Sequence, residues 1–212
     1  MDSIKTVVVT SSVAAVARRK FEPNHVLCED DWSDCDLMRQ QRTFYPLSKT
    51  LAEQEVWKWE EGVRDKIRVA TVNPPFIFGP CLQPTLNTST EIIIKLVNGK
   101  LQGIPNTPYS MVDVRDVAKM HLLALENEEV KGRLLGIAYA RHSKELCEDL
   151  RRLFPERNNL IPSKLDFEGE PIKPMAFNNS KLVNFGFEFI DIDTMLKDTV
   201  ISAEEQGFLP KV

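Results

Sequence analysis

The stretch Thr6-Val-Val-Val-Thr10, running directly into Ser11-Ser12, decides how this chain reads. Five consecutive β-branched residues favour a strand, and an unbroken run of this kind suits a parallel strand covered on both faces. A second run, Arg68-Val-Ala-Thr-Val72, stops at Asn73-Pro-Pro75. Between them, residues 43–61 carry helical spacing in Leu47, Leu51, Val56 and Trp59. Pro46 falls in the first turn, where proline is tolerated, and Gly62 ends the helix. Strand, helix, strand in this order predicts an α/β chain with a mainly parallel sheet.

The same reading continues outward. Residues 20–42 are polar and acidic and predict a loop with a turn of helix. Residues 74–80 hold three prolines and a glycine and predict a fixed loop. Helices are expected over 91–98, 113–126 and 144–154, with further ones near 180–185 and 193–206. A strand is expected over 134–139, and 100–112 read as irregular. Asp113 and Asp116 suit the first turn of their helix, where acidic groups meet the positive end of the dipole.

Composition narrows the classes of function. The chain has 212 residues, of which 42% are apolar and 27% charged. That is enough for one core and a small lobe. The net charge of −4 argues against a nucleic-acid partner, which calls for a basic surplus. No apolar run is long enough to span a bilayer. The apolar start is broken by Thr10, Ser11 and Ser12, so it reads as a strand and not as a signal core, and a cytoplasmic location is expected. Cys28, Cys35, Cys81 and Cys147 show no C-x2-C pair, and the three histidines are scattered. Neither a metal site nor a disulfide framework is expected.

The chemistry sits at two places. Ser11-Ser12 closes the first strand, and Tyr45-x-x-x-Lys49 lies on the helix that follows. Spacing i, i+4 puts the phenol and the ammonium on one helix face. An ammonium beside a phenol favours its ionised form, which suits proton exchange with a carbonyl or alcohol oxygen. A serine hydroxyl at the carboxyl end of a parallel strand can donate to the same oxygen.

These residues come in a recognisable order. They are Val9-Thr-Ser-Ser-Val-Ala-Ala15, Asp31-Trp-Ser-Asp34, Tyr45-Pro-Leu-Ser-Lys-Thr-Leu-Ala-Glu53 and Asn73-Pro-Pro-Phe-Ile-Phe-Gly-Pro80. Further along come Leu82-Gln-Pro-Thr-Leu-Asn-Thr-Ser89, Val112-Asp-Val-Arg-Asp-Val117, Ala140-Arg-His142 and Leu153-Phe-Pro-Glu156. The chain resembles the extended short-chain dehydrogenase/reductases, and among them the cinnamoyl-CoA reductase and dihydroflavonol 4-reductase group. The resemblance runs from residue 4 to the C-terminus.

The resemblance implies an NADPH-dependent reductase of aldehyde, ketone or thioester carbonyls. Tyr45 would be the general acid, Lys49 would hold the nicotinamide ribose, and Ser12 would polarise the substrate carbonyl. Pro74, Pro75, Phe76 and Ile77 would form the loop around the nicotinamide, Ser89 a further cofactor contact, and Arg141 and His142 part of the substrate cleft. Residues 1–80 would be the remaining part of a Rossmann-like nucleotide-binding domain. Residues 81–212 would form a mixed substrate lobe, with elements returning to the first sheet over 111–140.

Two departures stand beside the resemblance. No G-x-G-x-x-G or G-x-x-G-x-x-G turn occurs in the chain. The family carries that turn ahead of the first strand seen here. A truncated form with impaired cofactor binding is therefore expected, together with uncovered apolar faces and self-association through an exposed sheet edge. Pro46-Leu47-Ser48 after Tyr45 departs from the cysteine-containing motif of cinnamoyl-CoA reductases and leans towards aldehydes and simpler ketones. Two other readings stay open: a non-catalytic product that binds a partner, and an epimerase/dehydratase or hydroxysteroid-type dehydrogenase of the same superfamily.

Overall fold

The structure is a computed structural model and describes residues 3–212. In chain order its elements are β1 (Thr6–Thr10), β2 (Val26–Leu27), α1 (Cys35–Gln40), α2 (Phe44–Glu61), β3 (Arg68–Asn73) and β4 (Phe76–Phe78). Next come α3 (Thr88–Val97), β5 (Pro108–Asp113), α4 (Val114–Glu126), β6 (Gly132–Leu135) and β7 (Tyr139–His142). The chain ends with α5 (Ser143–Leu153), β8 (Ala176–Phe177), α6 (Ser180–Asn184) and α7 (Ile192–Glu205). They form two compact units between which the chain passes several times.

The first unit holds Met1–Pro75, Asp116–Ile137 and Met175–Glu188. Its sheet has the order β1-β3-β6 and is parallel throughout. Register pairs Thr10 with Val72, and Asn73 with Leu135, so the three strands end together. The carboxyl ends of parallel strands are where such sheets receive ligands. A second apolar cluster (Val16, Leu27, Leu135, Ile137) lies under the short pair β2-β8.

The second unit holds Phe76–Arg115, Ala138–Pro174 and Phe189–Val212. Its sheet is mixed: β4 runs parallel to β5, and β5 antiparallel to β7. The core is built by Ile93, Leu96 and Val97 of α3, Leu146 and Leu150 of α5, and Met195, Leu196 and Val200 of α7. Each such side chain contributes roughly 1.5–3 kcal/mol on burial. The helices start on side-chain caps: Asn87 accepts from Thr90 N at 2.8 Å, and Asp191 accepts from Thr194 N at 2.9 Å. A cap of this kind stabilises its helix by about 1 kcal/mol.

Most expected elements form, and the exceptions have physical causes. β1 is only half-buried, because β3 flanks it on one side and no strand flanks the other among the described residues. Helix α2 does not bury the face that its apolar spacing suggested. Leu51 and Trp59 are exposed, while Thr50 and Glu53 are buried. Residues 74–80 are not all loop, since β4 starts straight after Pro75 and pairs with β5. β5 itself, read from the sequence as irregular, is held by pairing on both sides. The single strand expected over 134–139 divides into β6 and β7. The break falls at Gly136, where a Cβ would meet Met120 Cε at 2.9 Å.

Candidate functional site

In the first unit, Ser12 follows the end of β1 and caps the 3₁₀ turn Val13–Ala15, accepting from Ala14 N at 3.1 Å. Its hydroxyl proton has only a long contact, 3.5 Å, to the Pro74 carbonyl. The hydroxyl can therefore turn to a better acceptor at little cost. Helix α2 packs along this turn and carries Tyr45 and Lys49 one turn apart. Tyr45 is 65% exposed, so its phenol is open to an incoming molecule.

Lys49 is anchored. Its ammonium donates to the Thr10 carbonyl at 3.0 Å, at the carboxyl end of β1. Thr10 is itself held by a 2.7 Å hydrogen bond between its hydroxyl and His121 Nε2. His121 Nδ1 lies 2.7 Å from the Val117 carbonyl, which can only accept, so Nδ1 carries a proton. Pro74 is buried and Pro75 half-buried just past β3, and Val13 N donates to the Pro74 carbonyl at 2.9 Å.

The remaining expected residues belong to the second unit. Phe76 is partly exposed and meets Tyr109 edge-on at 5.5 Å between ring centres. Ile77 N donates to Ser89 Oγ at 3.3 Å, tying β4 to the start of α3. Arg141 is half-buried and lies 3.6 Å from Asp149. His142 is buried as the N-cap of α5. Its Nδ1 accepts from Lys144 N at 3.1 Å, so Nε2 is the donor to Asn106 Oδ1 at 3.0 Å. Burial holds this imidazole below the ordinary histidine range. Asp113 of this unit and Asp116 of the first are fully buried; Asp113 pairs with Arg115 at 2.8 Å, and Asp116 with Lys119 at 3.3 Å.

One group of residues had no role in the sequence reading. Glu53 is 1% exposed on the buried face of α2. It accepts from Ser11, from Asn73 Nδ2 at 2.7 Å, from Thr71 at 3.1 Å, from Trp57 at 3.3 Å and from Arg133 Nε at 2.7 Å. Arg133 also donates to the carbonyls of Glu29 and Asp31 and stacks on Trp32 at 4.0 Å. Burial alone would raise the Glu53 carboxyl; the Arg133 charge and the hydrogen bonds more than offset this and hold it below the usual range. The signal lay in the motif: Glu53 continues the i, i+4 series of Tyr45 and Lys49. An open cavity of about 610 Å³ in this unit lies at the opposite, N-terminal end of β3 and β6 and shares only Trp57 with the set.

The sequence model of the 3-beta hydroxysteroid dehydrogenase/isomerase family matches residues 1–138. The chain belongs to this family. Within the extended short-chain dehydrogenase/reductases it is 37% identical to cinnamoyl-CoA reductase 2 of Medicago truncatula, over 98% of this chain and 61% of that protein. Among solved structures, vestitone reductase from alfalfa (Medicago sativa) is 34% identical, with a TM-score of 0.82 over 97% of this chain and 66% of that one. Gre2 from Candida albicans, solved in complex with NADPH, is 31% identical, with a TM-score of 0.82 over 96% and 65%. The fold is Rossmann-like, as the resemblance implied. The chain spans about three fifths of the length of the curated relatives it matches.

Proposed function

We propose that this member of the family is an NADP-dependent oxidoreductase that reduces an aldehyde, ketone or acyl-CoA carbonyl. The observation that carries the reading is the anchored Lys49 on the same helix face as an open Tyr45, along the turn that Ser12 caps. Relatives named as cinnamoyl-CoA and vestitone reductases support it.

The residues present fit the nicotinamide end of NADPH. They offer an ammonium, a phenol and a hydroxyl near the carboxyl end of a parallel strand. Lys49 would hold the ribose, with Pro74, Pro75, Phe76, Ile77 and Ser89 assigned to the cofactor by resemblance. When bound, the nucleotide supplies the hydride. Ser12 donates a hydrogen bond to the substrate carbonyl oxygen as charge gathers there. Tyr45 gives its proton to that oxygen, which leaves an alcohol from an aldehyde or ketone; from a thioester it leaves a thiohemiacetal, which breaks down to the aldehyde and the CoA thiol. Lys49 stabilises the phenolate left behind. Arg141 and His142 enter as substrate residues by resemblance; of the two, Arg141 has its charged group nearer solvent. Without a glycine-rich turn in the sequence, the 212-residue chain is expected to hold NADPH weakly.

The test is NADPH consumption by the protein with aldehydes, ketones, acyl-CoA thioesters and nucleotide sugars, beside Tyr45→Phe. Carbonyl turnover that disappears in the variant supports the reading. Conversion of nucleotide sugars without net NADPH loss replaces it with the epimerase reading. Absence of turnover with every substrate at NADPH concentrations where binding is measured overturns it.

A cytoplasmic location belongs to the same proposal. All four cysteines are free, as suits a reducing compartment, and among the described residues no helix is long and apolar enough to cross a membrane. So does self-association through the outer edge of β1, which has no strand partner among the described residues. Light scattering that shows a monomer at high concentration removes that part.

A further inference from the structure

We infer that Glu53, balanced by Arg133, is the positioning residue that sets the rotation of α2 on the sheet and so aims Tyr45 and Lys49 at the end of β1. The inference deepens the proposed function and rests on it. Its observation is a single carboxylate on α2 bonded to residues on two strands of the parallel sheet and to the residue that follows the third. Ser11 stands just past the end of β1, Thr71 and Asn73 on β3, and Arg133 on β6.

The argument starts from what apolar packing leaves undone. A helix is usually seated by a stripe of apolar side chains. On α2 the exposed large side chains include Phe44, Leu51 and Trp59, while the fully buried positions are Thr50 and Glu53. Dispersion contacts tolerate small rotations. Hydrogen bonds to a carboxylate do not, because they weaken steeply with angle. Glu53 Oε2 takes Ser11 and Asn73, and Oε1 takes Arg133, Thr71 and Trp57. Both oxygens are thus fixed from several directions.

The link to the site is short. Tyr45, Lys49 and Glu53 are spaced i, i+4, i+8, so one face carries all three with a slow drift around the helix. Ser11 is the neighbour of Ser12, and Asn73 Nδ2 also donates to the Ser12 carbonyl at 3.2 Å. The same network therefore holds the serine segment and the tyrosine helix. Arg133 keeps the buried charge paired, and its own place is set by the Glu29 and Asp31 carbonyls and the Trp32 ring. A buried pair of this kind is weak evidence of stability; what fixes the geometry here is the several directions in which both Glu53 oxygens are bonded.

The test uses the full chain with Glu53→Gln, and with Ser11→Ala and Thr71→Val in case the uncompensated Arg133 charge prevents folding of the first. Misplacement of reacting groups by about 1 Å can cost on the order of 100-fold. The expected result is a kcat lowered about 10- to 100-fold in Glu53→Gln and several-fold in Ser11→Ala, with KM for NADPH within about threefold of the parent. A second readout does not need activity. The chain has three tyrosines, so ¹³C-labelled tyrosine gives three signals, with Tyr45 assigned by Tyr45→Phe. Tyr109 and Tyr139 lie in the other unit. Positioning moves the Tyr45 signal alone. Folded variants with parental kcat and an unmoved Tyr45 signal overturn the inference. So does a loss of kcat that only tracks loss of folded protein. If the parent turns nothing over, the proposed function has failed separately, and the Tyr45 signal decides this inference by itself.

Discussion

Lys49 reaches from α2 to the backbone carbonyl of Thr10, 3.0 Å away, where β1 stops. The lysine is thus held by the strand that presents Ser12, while Tyr45, one turn earlier on the helix, stays open. Removing the phenol oxygen should therefore cost chemistry and not folding. Tyr45→Phe should keep stability within about 0.5 kcal/mol of the parent. It should lower carbonyl turnover by about 10²–10⁴-fold. Urea melts and NADPH consumption, taken side by side, check both halves; a large loss of stability would show that Tyr45 is a packing residue.

His142 makes stability depend on pH. Burial keeps it neutral in the folded chain at a pH where the unfolded chain takes up a proton. Below about pH 6.5 the unfolded state binds more protons than the folded one, so stability falls as pH drops through that window. Asparagine can also cap a helix. His142→Asn should flatten the change in urea midpoint between pH 7.5 and 5.5. An unchanged slope in the variant would assign the pH dependence to other groups.

Gly79 should tolerate no side chain. Its φ is +103°, and a Cβ would stand 2.8 Å from an oxygen of the buried Asp113. That carboxylate is paired with Arg115, which also meets Asp198 at 2.7 Å. Backbone strain alone is on the order of 1–3 kcal/mol. Gly169 has φ +83° and nothing within 4 Å of its Cβ position, so it isolates the strain. Gly79→Ala should cost clearly more stability than Gly169→Ala, as read by the two thermal midpoints; equal losses would mean that Asp113 moves aside freely.

The cysteines should separate by reactivity. Cys147 is fully buried in the second core, and burial pushes its thiol up to about 11. The thiolate is the reactive form, so alkylation at pH 8 should spare Cys147 until the chain unfolds. Cys28 and Cys35 are half-buried and should be modified first. Mass spectrometry of native and urea-treated samples checks the order, and early labelling of Cys147 would place it outside the core.

The two runs ending at Thr10 and Val72 were legible because a β-branched run has few other options, and α2 because its spacing is helical. The placing of Ser12 at the end of β1 and of Tyr45 and Lys49 one turn apart on α2 was legible because a strand end and an i, i+4 pair are local features. β5 and the break at Gly136 were not. Residues 108–113 carry little pattern of their own and become a strand by pairing with β4 and β7. The break at Gly136 arises because β6 pairs with β3 and β7 with β5, partners that sit well away in sequence. Glu53 was visible as a letter in the motif but not as a hub, since its donors come from positions 11, 71, 73 and 133.

By itself the sequence determined the α/β class and a mainly parallel sheet, which follow from propensity and period acting within a turn or two of chain. The family came from resemblance, in the order of whole motifs along the chain. Only the tertiary structure decided which face of α2 is buried. The apolar residues of that helix pointed to one answer, and the sheet gave another, because the Glu53 carboxylate finds its paired charge and its hydrogen-bond donors only on the buried side. It also decided that Lys49 is anchored on Thr10 and that His142 is a neutral helix cap, since both depend on groups that the fold alone brings together.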